Sequence, residues 1–154
     1  MKLNVERMRY KNDSFSFWMC MLSLICDVIQ FMFIYSNIYL QTLTGKGEFK
    51  YYMIGVDVVV NILFMLAAFY IGEELKTYHR NWALVAALVG IVQLVRIGIF
   101  PAQLLQFEFI TNALHTKIKI LMILSALFMF AAAVISFIKS TMLMNFLKKK
   151  GELK

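Results

Sequence analysis

Residues 82–101 read WALVAALVGIVQLVRIGIFP, nearly unbroken hydrocarbon with an amide at Gln93 and a guanidinium at Arg96. Crossing a bilayer core takes about 20 consecutive apolar residues in a helix, so the stretch has the length of a membrane span. Its two polar residues then require partners inside the membrane, because an unpaired amide or charge is costly in hydrocarbon.

Working outward, three further runs have the same character. They are FSFWMCMLSLICDVIQFMFIYSNIYL at 15–40, YYMIGVDVVVNILFMLAAFYIG at 51–72 and IKILMILSALFMFAAAVISFI at 118–138. With the opening run, taken as 82–100, they predict a single all-α transmembrane domain of four helices over residues 1–154. The composition agrees: 61% of the chain is hydrophobic, against roughly 45–50% in soluble domains. Mean hydropathy is +0.71. One Pro and seven Gly leave few helix breakers, and no linker-like tract or internal repeat divides the chain. The first run is too long for a signal peptide and has no small-x-small cleavage site before a soluble body, so it reads as a retained span.

A net charge of +7 raises the question of nucleic acid. The basic residues, however, sit at the ends of the apolar runs and form no stripe interleaved with aromatics. They read as topology signals. Lys2, Arg7, Arg9 and Lys11, then Lys76 and Arg80, then Lys139, Lys148, Lys149, Lys150 and Lys154 make eleven on one side. The other side has four: Lys46, Lys50, Lys117 and Lys119. Positive charge marks the cytoplasmic side, so both termini are expected there. Trp18, Tyr39, Tyr51, Tyr52, Tyr70 and Trp82 fall near span ends, where an aromatic belt belongs.

Two connections differ in kind. QTLTGKGEFK at 41–50 is a short turn in which Gly45 and Gly47 let the chain reverse. PAQLLQFEFITNALHTK at 101–117 begins with a proline, which ends the third span and suits the first turn of a new helix. At helical spacing Leu105, Phe109 and Ala113 share one side, while Glu108, Thr111, Asn112 and His115 gather on another. That is the pattern of a short interfacial helix on the outer membrane surface. An irregular loop is the alternative, because Gln103 and Gln106 interrupt the apolar face.

A rise of about 1.5 Å per residue converts position into depth. Asp27 falls near the midplane of the first span, with Gln30 on the same face. Asp57 lies in the outer half of the second span, with Asn61 one turn deeper. Gln93 falls near the middle of the third span and Arg96 in its outer half. Asp57 is therefore level with Arg96, and Asn61 with Gln93. The expected arrangement is an Asp57–Arg96 ion pair above an Asn61–Gln93 amide pair, with Asp27 and Gln30 closing the cluster from the first span. Span four has only Ser125 and Ser136 to contribute and is expected to pack without participating. The six residues admit two readings: polar pairs that fix helix register, or a solute, ion or proton site.

Small residues four apart mark close helix approaches: Ala68 and Gly72, Ala83 and Ala87, Ala86 and Gly90, Ala132 and Ser136. Cys20 and Cys26 lie inside the first run, outside any disulfide framework, and read as packing residues. His79 and His115 fall on opposite sides of the membrane and cannot share a metal or haem. Glu73 and Glu74 read as solvated charges beside Lys76 and Arg80. No zinc spacing, phosphate loop or nucleophile turn occurs, so neither catalytic residues nor a cofactor is expected.

The third span, NWALVAALVGIVQLVRIGIFP, with GVDVVVNILFMLAAFY before it, resembles small uncharacterised four-span proteins of Gram-positive bacteria. That resemblance implies a bacterial cell-membrane location and no site roles. The expectation is a non-enzymatic accessory or assembly subunit of a larger membrane complex such as a transporter, with the bilayer and a larger membrane protein as partners. The alternative is a small self-associating carrier with Asp27 as the proton- or cation-coupling carboxylate.

Overall fold

The apolar runs grow into four long helices because little in them stops a helix. The computed structural model describes residues 8, 11–42, 49–106, 108 and 110–151, and within these the side chains of all but 37–42 and 49–53. The helices are α1 (Ser14–Thr42), α2 (Phe49–Leu75), α3 (Arg80–Gln106) and α4 (Asn112–Lys149). All four are long and apolar enough to cross a bilayer, and the chain is an all-helical multi-pass membrane protein. The turn expected at Gly45 and Gly47 lies outside the described residues, as do Lys2, Arg7, Arg9, Lys46, Phe109 and Lys154. The side chains of Tyr39, Lys50, Tyr51 and Tyr52 are likewise outside them.

Caps fix where two of the helices begin. Asp13 precedes α1 and accepts from the Ser16 backbone N–H (3.4 Å) and the Ser16 hydroxyl (2.6 Å), satisfying orphan donors of the first turn. Thr111, with extended backbone, accepts from the Leu114 N–H at 3.4 Å and opens α4. That helix closes with Lys148 and Lys149 in its last turn, where cations favour the negative end of the helix dipole.

Pro101, expected to end the third span, lies inside α3, which runs on to Gln106, and α4 starts at Asn112. A proline inside a helix forfeits one backbone hydrogen bond and crowds the preceding turn. Here the loss falls in the last turns of α3, and Pro101 is buried. The reversal comes later, where Glu108 takes a left-handed backbone conformation (φ 59).

The four helices run alternately up and down. Asp13 at the start of α1 meets Lys139 late in α4, and Ser23 meets Ser125. A Cβ on Gly72 of α2 would lie 3.1 Å from that of Cys20 on α1, and one on Gly90 of α3 would lie 3.2 Å from the Phe130 ring on α4. Those two small residues therefore permit the close approaches their spacing suggested. Helix α4 packs most extensively, against α3 and α1; α1 packs on α2; and the α2–α3 contact is slighter than these three.

Burial alternates at three and four residues, as in antiparallel bundles. On α1 the buried seam is Ser16, Cys20, Ser23, Asp27, Gln30 and Ile34; on α4 it is Ile118, Met122, Ser125, Met129, Ala132 and Ser136. The outward faces carry Leu, Ile, Val and Phe, among them Leu66, Leu88, Val95 and Ile120, the surface a bilayer accepts. Inside, two apolar layers bracket a polar one. Cys20, Ala68, Ile71, Leu75, Ala83, Ala86 and Met129 belong to the layer near the termini. Ile34, Leu104, Ile110, Ile118 and Met122 form the other.

Candidate functional site

Between those layers all six polar residues singled out in the sequence come together, each 0–3% exposed. Three helices supply two apiece, one turn apart: Asp27 and Gln30 from α1, Asp57 and Asn61 from α2, Gln93 and Arg96 from α3. Because each pair shares a helix face, orienting one residue inward orients the other.

The ion pair forms as depth matching requires. Arg96 Nη2 donates to Asp57 Oδ1 at 3.1 Å, with the side chains 2% and 4% exposed. The guanidinium carbon also lies 5.1 Å from the ring centroids of both Phe64 and Phe100, whose faces attract a cation. Asn61 supports the acceptor: its Nδ2 donates to Asp57 Oδ2 at 3.1 Å and to the Asp57 carbonyl one turn back at 2.9 Å.

The amide partners are exchanged relative to expectation. Asn61 Oδ1 accepts from Gln30 Nε2 at 3.3 Å, while Gln93 Nε2 donates to Asp27 Oδ1 at 2.8 Å. Counting residues fixes depth but not rotation about the helix axis. With α2 and α3 in slight contact, α1 meets the amides of both. Gln30, Asn61, Asp57 and Arg96 therefore form one chain of hydrogen bonds, and Gln93 with Asp27 a second.

Helix α4 participates more than expected. Ser125 shares a hydrogen bond with Ser23 of α1 at 2.8 Å, and its hydroxyl lies beside the Asp27 carboxyl. The seven-residue spacing of Ser16, Ser23 and Gln30 on α1 was the available signal for Ser23. Polar atoms left without a hydrogen-bond partner among the described residues include Gln30 Oε1, Gln93 Oε1, and Nε and Nη1 of Arg96. The cluster so far spends only part of its hydrogen-bonding capacity.

A second polar focus, not anticipated, closes the end of the bundle near the termini. Lys139 of α4 pairs with Asp13, and the Asp13 backbone N–H donates to the Lys76 carbonyl in the α2–α3 link at 3.1 Å. Asp13 is 1% exposed and thereby ties together the start of α1, the α2–α3 link and the end of α4. In that link Lys76 pairs with Glu73 at 2.7 Å and lies over the Phe17 ring. Burial, and then the negative charge of Asp13, hold the Tyr78 phenol above the ordinary tyrosine range.

No group of three or more His, Cys, Asp or Glu among the described residues could hold a metal ion. Cys20 and Cys26 are free and buried. His79 sits in the α2–α3 link, 3.7 Å from Glu74, and His115 in the first turn of α4, at opposite ends of the bundle. Comparison with family models, with curated proteins and with solved structures finds no match to this chain.

Proposed function

We propose that this protein is a non-enzymatic accessory or assembly subunit of a larger membrane complex, seated in a bacterial cell membrane with both termini cytoplasmic. The observation that carries this reading is the inward direction of its polarity. The charged and amide groups of α1, α2 and α3 bond to one another behind apolar outer faces. The links 43–48, 76–79 and 107–111 are short. Such a bundle offers other molecules helix faces inside the bilayer, where association rests on packing. The orientation is supported by the pairing at Asp13, which gathers the segments bearing Lys11, Lys76, Arg80 and Lys139 at one end.

Purification of the tagged protein in mild detergent, followed by mass spectrometry, tests the role. A different and larger membrane protein should accompany it in fixed ratio, and deletion of the chain should lower that partner's level in the membrane. Purification with copies of itself alone, together with solute movement after reconstitution, would replace this reading with the second one, a self-associating carrier. The observation favouring the carrier is that the buried cluster holds two carboxylates, Asp27 and Asp57, against one guanidinium.

A further inference from the structure

The midplane cluster is short of positive charge. Around Asp27 the titratable and charged groups are Cys26 beside it on α1, Asp57 on α2 and Arg96 on α3, while α4 presents the hydroxyl of Ser125. Arg96 is engaged by Asp57, so with both carboxylates ionised the cluster carries one uncompensated negative charge. Hydrocarbon on all sides makes such a charge costly, and a buried acid escapes the cost by keeping its proton. A metal cation would require a cage of oxygen ligands. What meets Asp27 is the NH2 end of Gln93 and a serine hydroxyl.

An apolar layer lies beyond Asp27 in each direction. Toward Asp13 and Lys139, past the hydrogen-bonded hydroxyls of Ser23 and Ser125, it is built from Cys20, Met129, Ala132 and Ala133. In the other direction, beyond the Arg96 pair, lie Ile34, Leu104, Ile110, Ile118 and Met122, which can neither donate nor accept.

We propose that Asp27 holds an exchangeable proton inside the membrane, beside the Ser23 and Ser125 hydroxyls and between the two apolar layers. The Gln93 amide serves both states: its N–H donates to the carboxylate, and after rotation its free Oε1 accepts from the acid. This holds whether or not proton binding drives a solute, and so stands apart from the assembly role.

Infrared difference spectroscopy on the protein in lipid bilayers at neutral pH reads the proposal directly. A protonated carboxyl shows a C=O stretch that ionised carboxylates lack. Wild type should show this band, Asp27→Asn should lose it, and transfer to D2O should shift it. Absence of the band in wild type, which needs no variant, overturns the proposal, as does its persistence in Asp27→Asn. A band that does not shift in D2O overturns the exchange.

Discussion

Removing one partner of the Asp57–Arg96 pair should hurt more than removing both, and the two single changes should differ. The geometry sets the order. Losing Asp57 leaves Arg96 with a charge it cannot shed, Nε and Nη1 already without hydrogen-bond partners, with the faces of Phe64 and Phe100 and the Asp27 carboxyl, to which it makes no hydrogen bond, nearby. Orphaning a buried charge typically costs about 3–5 kcal/mol, so Asp57→Leu should fall in that range. Losing Arg96 is milder, because Asp57 keeps the hydrogen bond from Asn61 and can take up a proton; about 2–3 kcal/mol is expected. With both positions Leu no orphan charge remains, and the double variant should lie within about 1–2 kcal/mol of wild type, the residue being altered packing. The coupling in the cycle is then about 3–7 kcal/mol, at or above the upper end for contacting residues. Unfolding of the purified protein in mixed detergent micelles, followed by circular dichroism, measures all four corners. A double variant as damaged as the two singles summed would refute the pairing. Equal damage from the two singles would refute the account of why Arg96 is the more exacting partner.

Other consequences are smaller in scope. In a background where native Cys20 and Cys26 are buried, Gly45→Cys and, at an exposed position, Asn112→Cys should react with an impermeant thiol reagent outside intact cells and Thr77→Cys should not; labelling of the Thr77→Cys protein would invert the proposed orientation. Gly72→Val places bulk where even a Cβ would lie 3.1 Å from that of Cys20, so it should destabilise the α1–α2 contact by about 1–3 kcal/mol, seen as a lower unfolding midpoint. Because folding holds the Tyr78 phenol above its ordinary value of 10.0, its contribution is complete below that pH and is lost as pH rises through the folded-state value. Detergent stability should therefore fall with alkalinity in wild type and fall less in Tyr78→Phe.

Much of the architecture was legible because hydrocarbon runs of span length have few alternative explanations. Depth matching was legible too, since helical rise is constant, and it found the Asp57–Arg96 pair. Rotation was not. Sequence neighbours α2 and α3 were assumed to face each other fully, whereas α1 reaches the amides of both, so Gln93 meets Asp27 and Asn61 meets Gln30. Asp13 and Lys139 were hidden by their separation: each alone reads as an ordinary charge at a span end, and only the packing of α1 on α4 shows them to be partners. Pro101 misled because a proline can open a helix or interrupt one, and only the backbone distinguishes the two.

The Asp13–Lys139 pair joins residues 126 positions apart, which bears on how the protein is made. At translation rates of about 5–20 residues per second, the amino end waits roughly 6–25 s for its partner. During that interval α1 has Asp13, Ser16 and Ser23 along the seam that α4 will cover, so a nascent chain of three helices would turn a polar stripe toward lipid. A chain interrupted before Lys139 should therefore be less stable in the membrane than the four-helix bundle, because α4 is what covers that stripe.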